Sequence, residues 1–244
     1  MSTSITIDAP GSSDRKHTIV DDFMYGNNVA GASVYIRMGF MRKVYGILSV
    51  QLAFTMAICV VFMSSTTVSG FVKGSPAVLM VTALGSFGLI FALAMKSRET
   101  PTNYILLGLF TLCESILVGS VVTLYDVGVV IEALALTAAV TIALTAYTFQ
   151  SKRDFSTWGA GLFSALWVLI IAGFLQMFLQ SELVELAMAI GGAVLFSLYI
   201  IFDTHMIMHH VSPEEYIHAA VSLYLDIINL FLHILRILGE ARRN

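Results

Sequence analysis

Charge is what this chain has least of. Only 12% of its 244 residues are Asp, Glu, Lys or Arg, about half the share in an average soluble domain. With 13 basic against 16 acidic side chains and a net charge of −3, there is no basic surface for nucleic acid, and the small net charge defines no other partner. Cysteine is nearly absent too. Cys59 and Cys113 both lie in apolar stretches with no ligand spacing, which excludes a disulfide framework and a cysteine metal site and leaves packing as their role. Residues 1–40 are polar and rich in Gly, Ser and Asp and lack the apolar core and small-residue cleavage site of a secretory signal. They are expected to form a disordered cytosolic tail, ahead of a transmembrane domain over 41–244.

Apolar residues make up 57% of the chain, and they are grouped in runs. A helix needs about 20 apolar residues to cross the hydrocarbon core. Seven segments qualify: Val44–Met63, Pro76–Met95, Tyr104–Leu124, Val127–Phe149, Trp158–Leu179, Leu183–Met208 and Pro213–Leu238. This predicts an all-α membrane protein of seven transmembrane helices. Three of the four prolines stand at segment starts behind a hydroxyl residue, in Ser75-Pro76, Thr100-Pro101 and Ser212-Pro213. Proline suits the first helical position and the hydroxyl can cap free amides. Ser212-Pro213-Glu214-Glu215 also has the form of a capping box.

Orientation is read from Lys and Arg in short flanks. Arg15, Lys16, Arg37, Arg42 and Lys43 precede segment one, Lys96 and Arg98 follow segment two, and Lys152 and Arg153 follow segment four. These nine belong in the cytosol, with the N-terminus, and Lys73 opposes them. Seven full crossings leave Arg236, Arg242 and Arg243 on the far side, nine against four, whereas a re-entrant last segment gives twelve against one. Length and capping favour the full crossing.

The last segment carries the chemistry. His218, Ser222, Asp226, Asn229, His233 and Arg236 recur every three or four residues and share one helical face. Such a stripe requires surrounding protein or a hydrated path. Asp226 lies 13 residues beyond Pro213, roughly 20 Å along the axis. At that depth a charge costs several kcal/mol unless neutralised, paired or hydrated.

Asp203 on segment six is equidistant from the connecting turn, so the two carboxyls are expected at one depth, sharing a proton and titrating as a unit. The protonated pair would hold segments six and seven together. Loss of the proton would separate them or create an oxygen site for Ca²⁺, a hard cation. Glu114 shares a face with Thr111 and is read either as a third carboxylate on the path or as a side chain bonded to a neighbouring helix. Glu132 and Glu185 are expected to reach the interface. Thr137, Thr141, Thr145 and Thr148 can bond their own helix backbone. His205 and His209 have i, i+4 spacing, but without HExxH or a second acidic ligand they are read as interfacial groups or modulators of the acids.

SLYLDIINLFLHILRILGE, SLYIIFDTHMIM and SPEEYIHAA resemble the BAX-inhibitor-motif transmembrane family. YIRMGFMRKVYGILSVQLAFT, ALGSFGLIFALAMKSRE and YTFQSKRDFSTWGAGLF resemble its Golgi anti-apoptotic (Lifeguard) branch, and the likeness runs from about Asp21 to the C-terminus. The resemblance implies a seven-helix bundle with the last helix central and surrounded by the other six. It also implies a Ca²⁺ leak across Golgi and endoplasmic-reticulum membranes that lowers lumenal Ca²⁺ and inhibits apoptosis, without enzymatic activity or a tightly bound cofactor.

The family's paired aspartates fall on Asp203 and Asp226. A basic residue that latches onto the pair in bacterial relatives falls on Lys96, a point charge rather than an arginine's bidentate fork. Path candidates beside the pair are Glu114, Asn229, Ser222, His218 and His233. The bilayer, Ca²⁺ and H⁺ are the expected partners, with apoptosis or calcium-signalling membrane proteins beside them. Proton-coupled Ca²⁺ exchange is the first alternative. An intramembrane aspartyl protease is the second, although the Gly-x-Gly-Asp of such enzymes is here Leu223-Tyr224-Leu225-Asp226. A membrane scaffold is the third.

Overall fold

The computed structural model describes residues 34–243; the segment read as a tail lies outside them up to residue 33. Eight α-helices follow: α1 (Val34–Ser64), the short α2 (Thr66–Lys73), α3 (Pro76–Lys96), α4 (Thr102–Val122), α5 (Val127–Gln150), α6 (Gly159–Leu179), α7 (Glu182–His209) and α8 (Tyr216–Arg243). No strand occurs among the described residues. All but α2 belong to the seven segments long and apolar enough to cross a membrane, so the chain is an integral membrane protein. α1 begins ten residues before the apolar run at Val44, and the end of that extension is held to α8: Lys43 Nζ stands 3.3 Å above the ring centroid of Tyr216, a cation–π contact.

Helix α8 is the centre of the bundle. It packs against α1, α4, α5 and most extensively α7, and its buried residues include Ile217, Leu223, Tyr224, Leu230 and Leu235. α3 leans chiefly on α4, and α6 on α7, so the ring of six expected around the last helix is an inner ring of four with α3 and α6 outside it. α6 accordingly presents Phe174, Met177 and Phe178 outward, each at least 61% exposed. Large apolar side chains cover the outside because lipid tails there are as apolar as the side chains themselves.

The start of α8 departs from the expected capping box. Ser212 Oγ does accept the Glu214 N–H, at 3.5 Å, but Pro213–Glu215 form a 3₁₀ turn before the α-helix begins. Glu215 turns away to accept from Arg98 Nη2 at 2.7 Å. A charged partner on the α3–α4 connection outcompetes the local amide. The Ser75 side chain likewise makes no cap bond, and Pro101 itself occupies the cap position of α4.

Uninterrupted over 28 residues, α8 rises about 42 Å, which makes the last segment a full crossing. The three arginines that count against this topology are each matched by an acid at the same end of the bundle. Arg242 Nη2 meets Glu132 at 2.6 Å, Arg236 Nε meets Glu185 at 3.6 Å, and Arg243 meets Glu182 at 3.8 Å and Glu240 at 3.4 Å. Glu132 and Glu185, expected at the interface, serve here as ion-pair partners. A cysteine at Arg243 should react with a membrane-impermeant maleimide from the side opposite to one at Lys152; labelling of both from one side would contradict the full crossing.

Candidate functional site

The antiparallel α7–α8 hairpin brings Asp203 and Asp226 together. Each carboxyl lies close enough to act on the other. Asp226 is 6% exposed, and among the described residues no N–H or O–H donor reaches its buried Oδ2. The same register stacks Phe196 on His233, with ring centroids 5.6 Å apart and 23° between planes. Gly192, one turn earlier on α7, lies beneath that imidazole, and a Cβ there would collide with the ring. Tyr199, one turn before Asp203, is close enough to feel both carboxyls. Sequence reasoning passed over Tyr199, although its i, i+4 spacing from Asp203 puts both on one face of α7.

The polar stripe of α8 is more open than the rest of that helix. His218 is exposed and Ser222, Asn229, His233 and Arg236 are half-buried, whereas the Ile, Leu and Phe positions on the other faces are mostly enclosed. Ser222 Oγ and His218 Nδ1 stand 3.4 Å apart, Asn229 Nδ2 donates to Leu225 O at 2.8 Å, and His233 Nδ1 has no partner. At the C-terminal end the stripe reaches a cavity of about 400 Å³ lined by Arg236, Glu185, Gln176 and Gln180. Asp226, at the middle of the stripe, is its one buried member.

Two expected members are elsewhere. Lys96 Nζ is held by both carboxylate oxygens of Glu99, at 2.7 and 2.8 Å, so the latch onto the aspartates is not made; a near and solvated partner wins over one deep in the bilayer. Glu114 is not brought to the pair either. It accepts a hydrogen bond from Ser86 of α3 and lies near Tyr224, which corresponds to the helix-bonding alternative. Thr137 and Thr148 bond the backbone carbonyls four residues earlier in α5, at 2.7 and 2.8 Å.

A second polar cluster, missed in the sequence, occupies the side of α8 away from Asp226. The fully buried Tyr224 hydroxyl meets Thr55 Oγ1 of α1 at 2.8 Å. Thr55 meets Ser115 Oγ of α4 at 3.0 Å, and Gln51 Nε2 donates to Thr111 Oγ1 at 2.9 Å. The signal was present as two i, i+4 polar pairs, Gln51/Thr55 and Thr111/Ser115, each on a different span. Tyr224 and Asp226 lie about 200° apart around the helix. The hydroxyl chain therefore fixes the rotation of α8 that aims Asp226 at Asp203.

At the end of the bundle that carries the α7–α8 turn, the α5–α6 connection is pinned by Phe155, 2% exposed, which sits edge-on to Trp158 and His205. Asp154 Oδ1 accepts from Ser156 N at 2.9 Å and from His205 Nε2 at 3.0 Å. Bonds from Ser156, with a smaller contribution from His205, hold the Asp154 carboxyl down at about 2. His209 Nδ1 bonds the His205 carbonyl oxygen at 3.1 Å, and no cluster of three His, Cys, Asp or Glu side chains able to hold a metal occurs among the described residues. The aspartate pair offers at most four oxygens where Ca²⁺ takes six to eight.

A seven-span helical bundle with an acidic pair between its last two helices defines a class of membrane protein, and the comparisons give the family. Residues 37–243 match the family described as Inhibitor of apoptosis-promoting Bax1. The chain is 55% identical to mouse Protein lifeguard 4 over 228 residues, covering 93% of this chain and 96% of that protein. It is 53% identical to the Golgi anti-apoptotic protein of vaccinia virus strain Lister, at 93% and 95% coverage, and 41% identical to fission yeast Bax inhibitor 1, at 92% and 85%. The chain belongs to the BAX-inhibitor family.

Three outcomes follow from this geometry. Gly192→Ala must displace the His233 ring and is expected to cost about 1–3 kcal/mol, read as a lower unfolding midpoint in detergent. Tyr224→Phe keeps the ring and loses the hydroxyl, at a cost of about 0.6 kcal/mol and ~1.7 at most, and Thr55→Val added to it should cost less than the two separately. The Asp154 carboxyl sits below its ordinary value, so its contribution is present above pH ~3.9 and is lost as pH falls toward 2. Asp154→Asn should speed amide exchange in residues 152–158 at neutral pH and erase that acid dependence.

Proposed function

We propose that this protein is a pH-sensitive Ca²⁺ leak of Golgi and endoplasmic-reticulum membranes, switched by a proton shared between Asp203 and Asp226, and that it opposes apoptosis by lowering lumenal Ca²⁺. The observation that carries the reading is the buried, donor-less Oδ2 of Asp226 facing a second carboxyl midway along an accessible polar stripe. A carboxyl can bond a carboxylate only through a proton held between them. With that proton present, the bond ties α7 to α8 across the path. Without it, two full charges about 4 Å apart repel by about 4 kcal/mol at an effective dielectric near 20, enough to move a two-state equilibrium by roughly a thousandfold.

The sign follows from the chemistry. Acidity closes the pair and lowers flux; rising pH removes the proton, spreads the hairpin and exposes oxygens that replace part of a calcium ion's water shell. The α7–α8 turn faces the cytosol in this reading, since Arg98, Lys152 and Arg153 share its side. The Golgi assignment rests on the name of the viral relative and the anti-apoptotic one on that name and the family description, and with them an interaction with apoptosis or calcium-signalling membrane proteins is expected. The role proposed is transport, with Ca²⁺ as cargo and no enzymatic step.

Purified protein in liposomes tests this directly. Ca²⁺ flux should rise between acidic and neutral pH in the natural protein and become independent of pH in Asp203→Asn and Asp226→Asn. Variants that keep the original profile would remove the pair from the switch. A purified protein that passes no Ca²⁺ at either pH would replace the leak with a scaffold, and protons counted out for each Ca²⁺ would identify exchange.

A further inference from the structure

Helices α1 and α5 both pack on α8, and between them a cavity of about 320 Å³ is left at mid-span. Its rim includes Met56, Ala138 and Ile142; Met56 is 50% and Ile142 69% exposed. They belong to the outward surface that faces lipid, so the opening is continuous with the protein–bilayer boundary. Its floor is the central helix, with Ile227, Ile228 and Phe231 no more than 8% exposed.

Water is a poor occupant. A buried water requires two to four polar partners. The Thr137 hydroxyl is committed to Ala133 O, Thr55 is committed to its hydroxyl chain, and only Thr141 Oγ1 lacks a partner. An empty cavity would forfeit dispersion contacts along every wall. The volume is roughly twice that of an engineered apolar cavity, ~150 Å³, that takes up benzene. Hydrocarbon is the neighbouring phase.

We propose that this cleft is a lipid site, in which the middle of a phospholipid acyl chain enters between α1 and α5 and lies against Ile227, Ile228 and Phe231 of α8. The bound chain completes the packing of the central helix on the side away from the acidic pair. Bilayer composition thereby gains a point of contact with the residues directly following Asp226. The site stands on the cavity alone and does not depend on the leak reading.

The full chain, reconstituted in bilayers with a phospholipid carrying a diazirine near the middle of its acyl chain, is irradiated and the adducts are mapped by mass spectrometry. Adducts are expected on Ile227, Ile228 or Phe231, which lipid on the outer surface cannot touch, as well as on the exposed α6 face at Phe174 and Phe178. Ala138→Trp, an exposed rim position, should plug the opening. The α8 adducts should then fall at least tenfold while those on α6 stay unchanged. Adducts on α6 with none on α8, α8 adducts unaffected by Ala138→Trp, or α8 labelling by a free diazirine fatty acid but not by the phospholipid would each overturn the proposal.

Discussion

A carboxylate in the middle of a bilayer must find a proton, a counter-ion or water, and the arrangement of this protein follows from how Asp226 is accommodated. No basic side chain among the described residues pairs with it: Lys96 is bound to Glu99, and the arginines of α8 are paired with acids at the end of the bundle. What meets it is another acid. Two carboxyls in one low-dielectric site cannot readily both ionise, so at least one proton stays with the pair. In the proposed reading the Asp203–Asp226 contact is conditional on protonation in a way that an ion pair or an amide bridge at the same place would not be.

The remainder of α8 holds that contact in register. Tyr224 is tied to Thr55 and Ser115 on one side while Asp226 faces α7 on the other, so the hydroxyl chain resists rotation of the helix. Along the axis, His233 lies on Gly192 and Phe196, and Arg236, Arg242 and Arg243 bind acids on α5 and α7. At the opposite end, Lys43 and Arg98 grip Tyr216 and Glu215. The helix is anchored at both ends and on its back face, and the polar stripe is left as its most accessible surface.

Much of this could be read from residue order. The apolar runs predicted all seven spans, though α1 starts ten residues ahead of its run and α8 ends five residues beyond its own, and the equal distance of Asp203 and Asp226 from one turn put them at one depth, because an antiparallel hairpin converts sequence symmetry into depth. Charge counting was ambiguous for the last span because it counts arginines without their partners. Glu132, Glu182 and Glu185 are distant in sequence from the arginines that they neutralise, and the pairing appears only in three dimensions. The Tyr224 network was hidden for a similar reason: Gln51, Thr55, Thr111 and Ser115 each look like a small polar residue content with its own helix. The family's basic latch did not carry over to Lys96, since Glu99 lies only three residues away.

The central claim is that one proton belongs to both aspartates. Infrared difference spectroscopy of the protein in lipid, following the C=O stretch of a protonated carboxyl through a pH titration, addresses it without reference to transport. A shared proton predicts one titrating band in the natural protein whose midpoint moves in Asp203→Asn and in Asp226→Asn alike. Bands that titrate in each variant just as they do in the natural protein would mean two independent acids and would contradict the account.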